Sequence, residues 1–116
     1  MPVQPLAVDA AESLAALPGT TIIYKHSPSC SLSLVAAQEV ARLLREDGLT
    51  VHQLDVFAQR PLSNDIESHF GVRHESPQVL ILEDGQLVWH ASHRAVTAER
   101  IRAALAGQRE NVGARR

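Results

Sequence analysis

The chain has 116 residues, 45% of them hydrophobic, which is enough for one core and excludes a second full domain, since domains usually run to about 100–200 residues. With 13 acidic against 11 basic residues, a formal net charge of -2 and only 3% aromatic residues, it lacks two things. It has no positive field to hold nucleic acid or anionic lipid, and too few rings for base stacking or an aromatic-lined groove. Its single cysteine, Cys30, excludes an internal disulfide and any multi-thiolate zinc site.

Residues 1–8 read as an irregular arm, broken by Pro2 and Pro5 and without the basic-then-apolar build of a signal peptide. No stretch approaches the roughly 20 apolar residues that span a bilayer, so a reducing cytoplasm is the expected location. Asp9 and Glu12 form a capping-box pattern that opens a helix, which Pro18 and Gly19 end. Residues 20–25, rich in β-branched side chains, predict a strand, followed by a polar loop. Over residues 30–47 the apolar positions Leu32, Val35, Ala36, Val40, Leu43 and Leu44 mark one helical face, with Gly48 at C′. Residues 51–57 predict a second strand, and Arg60-Pro61 leads into a short helix over 62–70 that stops at Gly71.

Two further strands, 78–82 and 86–90, are joined through Asp84-Gly85, a strong signal for an antiparallel hairpin. Thr97 caps a last helix with Ile101, Ala104 and Leu105 facing inward, ending at Gly107 and leaving a fraying polar tail over 108–116. The folded unit is therefore expected to be residues 9–107. Alternation of strands and helices makes the first two strands parallel. The expected architecture is α/β: a mixed four-stranded sheet in the order βαβαββα, preceded by an extra helix, with helices on both faces. That is a thioredoxin-like arrangement, and other small α/β sandwiches share the spacing.

Cys30 falls at the first turn of a helix, where unpaired N–H groups and the macrodipole favour a thiolate. Lys25 and His26 lie in the same loop, and cationic neighbours lower a cysteine pKa from about 8.5 into a range near 3.5–7.5. The functional reading is a nucleophilic thiol; the structural alternative is a buried, inert cysteine. The polar run Ser27, Ser29, Ser31 and Ser33 points away from burial. Cys30-Ser31-Leu32-Ser33 also has the C-x-x-S form, in which Ser33 stands where a dithiol enzyme has its resolving cysteine. An oxidised Cys30 must then be discharged by an outside thiol through a mixed disulfide. The six histidines show no metal-ligand spacing, so no metal site is expected. Trp89 alternates with its strand neighbours and is expected to pack on the sheet.

Lys25-His26-Ser27, Cys30 and Ser33, Asp55-Val56, Arg60-Pro61, Ser63-Asn64, Phe70-Gly71-Val72, His74-Glu75-Ser76-Pro77-Gln78, Asp84-Gly85 and Trp89-His90-Ala91-Ser92-His93 together resemble the monothiol bacilliredoxins. The resemblance runs from Asp9 to Gly107. It implies a thioredoxin fold and thiol-disulfide exchange with bacillithiol as thiol co-substrate, with no bound cofactor. Bacillithiolated proteins would be the partners, and neither nucleic acid nor membrane. Cys30 is then the catalytic residue, with Lys25, His26 and Ser33 expected from their places near it to stabilise its thiolate, and the resemblance implies a cis Ser76-Pro77 loop that faces it and aligns the substrate backbone. The two carboxylates of the malate unit of bacillithiol call for cations, for which Lys25, Arg60, Arg73 and His74 are the candidates. The family often has proline after the cysteine; this chain has Ser31.

Two other classes stay open at this point. One is a non-catalytic thioredoxin-like binding or redox-sensor module, separable by the Cys30 pKa. The other is a monothiol glutaredoxin-like carrier of an iron–sulfur cluster, although the glycine-aromatic pair usual in that motif is missing.

Overall fold

The computed structural model describes residues 3–5, 12, 14, 16–27, 31–47 and 51–114. Five strands make one sheet: β1 (Val3–Pro5), β2 (Thr20–His26), β3 (Val51–Asp55), β4 (Gln78–Glu83) and β5 (Gln86–Ser92), in the spatial order β1-β3-β2-β4-β5. Three helices follow among the described residues, α1 (Ser31–Asp47), α2 (Arg60–Phe70) and α3 (Ala98–Ala114), with a 3-10 turn at His93–Ala95 before α3. Glu12 and Leu14 are helical ahead of β2, while the Asp9 cap and Gly48 lie outside the described residues.

β2 and β3 run parallel, with His26 opposite Asp55, and β4 returns antiparallel to β2, with Gln78 opposite Lys25. Side-chain alternation along β2 sorts the two cores. Ile22 and Tyr24 point to the face covered by α1 and α3, among Ala36, Val40, Leu43, Ile101 and Leu105. Ile23 points to the other face, where Leu14 and, from α2, Leu62 and Ile66 pack. Each such buried aliphatic side chain contributes about 1.5–3 kcal/mol, and a core on each face sandwiches the sheet between helices. Trp89 packs against the α1/α3 side as expected.

The hairpin joining β4 and β5 forms at Asp84-Gly85, with φ of 51° and 80°, the two positive values a tight twisted turn requires. Its tip is tied back to the start of β2. Gly19 N–H donates to Asp84 Oδ1 at 2.8 Å, and Asp84 N–H donates to the Gly19 carbonyl at 2.8 Å.

Four expectations need correction. The arm over residues 1–8 is not wholly irregular: Val3–Pro5 pairs in parallel with Val51–Gln53 as a fifth strand, because the outer edge of β3 offers unpaired backbone groups. The second strand ends at Asp55 rather than Phe57. There Asp55 Oδ1 accepts the Phe57 and Ala58 N–H groups at 2.9 and 3.1 Å, bending the chain into a turn that leaves Phe57 53% exposed.

The inner face of α1 is Ser33, Ala36, Val40, Leu43 and Leu44, and Val35 lies outside it at 58% exposure. Buried Ser33 lies on this stripe, a polar position that an apolar pattern does not mark. Finally, α3 continues through Gly107 to Ala114. A glycine in a helix costs only about 1 kcal/mol against alanine, and no proline follows to stop the helix.

Candidate functional site

The ends of β2 and β3, the start of β4, the end of β5 and the start of α1 meet at one end of the sheet. In open α/β sheets this end, beyond the carboxyl ends of the parallel strands, is where ligands bind. Val56 N–H donates to the His26 carbonyl at 3.0 Å, and His93 N–H donates to the Pro77 carbonyl at 2.8 Å, so backbone bonds hold the strand ends in register here. Cys30 lies outside the described residues, between Ser27 and the first residue of α1. The site is therefore built from what surrounds that loop.

On the α1 side, Tyr24 is buried, and its hydroxyl reaches both His26 and Ser33. It lies 2.8 Å from His26 Nδ1 and donates to the Ser33 carbonyl at 3.1 Å. Ser33 is buried, and its Oγ accepts the Ser27 N–H at 3.3 Å. Tyr24, His26 and Ser33 thus brace the two ends of the loop that carries Cys30. The serine run is less solvated than its composition suggests, since Ser27 and Ser33 are both buried: the Ser33 hydroxyl accepts from the Ser27 amide.

Lys25, one residue from Tyr24 on β2, points to the opposite face and is 0% exposed. Its Nζ donates to the Ser63 carbonyl at 3.3 Å and lies 3.3 Å from His74 Nδ1. Ser63 Oγ lies 2.9 Å from the same His74 nitrogen, and His74 N–H donates to Glu67. Burial pushes the Lys25 ammonium down from 10.5 to about 8, with Glu67 opposing. Burial, and then the Lys25 charge, hold His74 below the ordinary histidine range. Lys25 therefore belongs with His74, fastening β2, α2 and the loop before β4, and is not grouped with His26 and Ser33 as its place in the sequence suggests.

The other predicted residues are spread around this end. Arg60 opens α2, is exposed, and its guanidinium sits 6.0 Å from the Phe57 ring centre. It adds to the positive charge felt by His74. The side chain of Arg73 is exposed, and its carbonyl accepts Gln78 Nε2 at 2.9 Å. The Ser76-Pro77 bond is cis, with Ser76 half-buried and Pro77 buried at the start of β4. His93 Nδ1 lies 3.9 Å from Glu75, whereas His90 is exposed on β5. Among the described residues no three His, Cys, Asp or Glu side chains gather as metal ligands.

Sequence reasoning missed three polar residues here. Tyr24 shares a strand face with His26, two positions on, and a buried phenol needs a hydrogen-bond partner; those two facts together could have found it. Ser63 has no such signal. Gln78 opens an apolar strand yet is fully buried, and donates to Ser92 Oγ at 3.1 Å.

A family model for the monothiol bacilliredoxin BrxC matches residues 7–101. Among solved structures, a candidate oxidoreductase with a thioredoxin fold is 27% identical, with a TM-score of 0.80 over 88% of this chain and 92% of that one. Mitochondrial thioredoxin 3 from Saccharomyces cerevisiae is 14% identical (TM-score 0.67, 90% of this chain and 94% of that one). Oxidised thioredoxin from Plasmodium falciparum is 10% identical (TM-score 0.65, 91% and 97%). These likenesses establish the thioredoxin fold. Among the described residues no helix is long and apolar enough to cross a membrane. With a family match spanning most of its length and taking in its one cysteine, the chain belongs to the monothiol bacilliredoxins.

Proposed function

We propose that this protein is a thiol-disulfide oxidoreductase that removes bacillithiol from protein mixed disulfides through Cys30. The observation that carries this reading is the family match over residues 7–101, within which Cys30 is the single thiol and immediately precedes α1. The Cys30 thiolate attacks the bacillithiol sulfur of the mixed disulfide. The protein thiolate leaves and takes up a proton, and bacillithiol stays on Cys30. A second bacillithiol thiolate then attacks that adduct, releasing oxidised bacillithiol and the Cys30 thiolate. Attack at the other sulfur would instead trap the target protein.

The start of α1 and His26 favour the thiolate over the thiol, and Ser33 shapes the loop by receiving the Ser27 amide. Ser76 aligns the substrate backbone: no hydrogen bond among the described residues uses its amide or carbonyl. Arg60, with Arg73 and the rim of His74, supplies cations for the carboxylates of bacillithiol, and the buried Lys25 acts on them through His74. The protein is placed in the reducing cytoplasm, where bacillithiol would serve as co-substrate.

Intact-mass spectrometry tests the reading. Reduced protein incubated with oxidised bacillithiol should gain one bacillithiol, and Cys30→Ser should gain none. Absence of the adduct in the wild type, or an adduct with oxidised glutathione at the same rate, would overturn it. A Cys30 pKa above about 8 by alkylation would favour a passive binding module.

A further inference from the structure

Left-handed backbone is unfavourable for any residue with a Cβ, and among the described residues only Asp84 and His93 adopt it without being glycine, with φ of 51° and 56°. Asp84 sits in the β4–β5 hairpin, where the turn itself requires a positive φ. His93 has no hairpin to serve. It directly follows β5 and opens the 3-10 turn that leads the chain away from the sheet. What its conformation secures is one bond: His93 N–H donates to the Pro77 carbonyl at 2.8 Å, one rung beyond the Gln78–Ser92 pair that ends the β4–β5 ladder. Proline has no N–H, so that carbonyl is the one hydrogen-bonding group by which Pro77 can be held.

Neighbouring contacts fix the rest of the loop before β4. Gln78 Nε2 donates to the Arg73 carbonyl at 2.9 Å and to Ser92 Oγ at 3.1 Å, and His74 N–H donates to Glu67 at 2.6 Å. Between these fixed points Ser76 is half-buried, and no hydrogen bond among the described residues uses its amide or carbonyl. The His93 ring adds little. Its Nδ1 is 3.9 Å from Glu75, and the two side chains are 48% and 35% exposed, a setting in which an ion pair contributes least. We propose that His93 is a positioning residue whose left-handed backbone, by holding the Pro77 carbonyl, presents the Ser76 amide and carbonyl in one orientation to the extended chain of a protein substrate. The inference rests on the reading that Ser76 aligns that chain. A small disulfide has no chain to pair, so the contact favours protein substrates and leaves thiol exchange itself unaffected.

Steady-state kinetics separate these effects. A short peptide carrying one bacillithiolated cysteine, with bacillithiol as reductant, gives KM and kcat, and hydroxyethyl disulfide serves as a neutral substrate without a chain. Valine is β-branched and does not tolerate a positive φ. His93→Val should therefore raise KM for the peptide about five- to tenfold, the worth of about one backbone hydrogen bond, with kcat and the hydroxyethyl disulfide rate unchanged. His93→Gly lacks the same ring but keeps the left-handed backbone, so its KM should match the wild type. An unchanged KM in His93→Val, a loss shared by hydroxyethyl disulfide, or an equal rise in His93→Gly would each overturn the proposal. If His93→Val does not fold, His93→Ala, with a smaller backbone penalty, replaces it in the comparison with His93→Gly and the same outcomes decide. The glutathionylated form of the peptide should show the same rise in KM. Equal turnover of the two forms by the wild type would sink the proposed function and leave the positioning role standing.

Discussion

Lys25 carries a charge in a place where charge is costly, and replacing it with methionine, similar in length and uncharged, measures that cost. Its pKa falls from 10.5 to about 8, and each pKa unit is worth about 1.4 kcal/mol. The ammonium form is therefore disfavoured in the folded protein by about 3 kcal/mol. Methionine gives up the hydrogen bonds to Ser63 and His74, a loss of about 1 kcal/mol because Ser63 Oγ still serves His74. Lys25→Met should thus be more stable than the wild type at pH 7 by about 2 kcal/mol.

The pH dependence has a definite sign. Between about 8 and 10.5 the unfolded chain holds the Lys25 proton while the folded chain has released it. Wild-type stability from this group therefore rises with pH across that window. Urea denaturation of both proteins at pH 7, 8.5 and 10 isolates the effect, since titration of Cys30 is common to both and cancels in the difference. The gap should close as pH rises. A variant less stable than the wild type at pH 7, or a gap that stays constant with pH, would refute the reasoning.

Three further outcomes are expected. Arg60→Ala should slow adduct formation with oxidised bacillithiol about two- to fivefold and leave the rate with a neutral disulfide unchanged, as stopped-flow comparison would show. Asp55→Ala should lower stability by about 1 kcal/mol in urea melts by freeing the Phe57 and Ala58 amides. Those two amides hold the Asp55 carboxyl below its ordinary 3.8, so its stabilisation is present above that pH and fades as the pH falls further. Gly71→Ala should cost about 1 kcal/mol by calorimetry. Gly71 caps α2 at φ 68°, and nothing lies within 4 Å of an added Cβ, so the penalty is conformational alone.

Much of the fold was legible because its signals are local. Asp84-Gly85 demands a turn, β-branched runs demand strands, and Gly71 stops α2 in the left-handed conformation that ends helices. What the sequence hid depends on contacts across the chain. Val3–Pro5 becomes a strand only because β3 has an open edge, and the extent of α3 was masked by a glycine the helix absorbs. The site divides the same way. His26 and Ser33 were readable from their distance to Cys30, but the direction of Lys25 is set by strand alternation, which turns adjacent residues to opposite faces. Applied to residues 24, 25 and 26, that rule alone separates Lys25 from His26. Its bond to Ser63, 38 residues away, has no trace in the sequence.

The three-residue β1 also decides where the sheet stops growing. It covers part of β3, and its own outer side ends at Pro5, which has no N–H to offer another strand. At the far border, the β4–β5 ladder shifts register after Ile81, leaving Val88 as an extra residue that bends β5. Both margins are therefore poor templates for edge-to-edge pairing, the route by which small sheet proteins aggregate. Removing residues 1–5 would bare the edge of β3 at Val51, His52 and Gln53, and the first symptom should be loss of solubility while thiol chemistry at the opposite end of the strands continues.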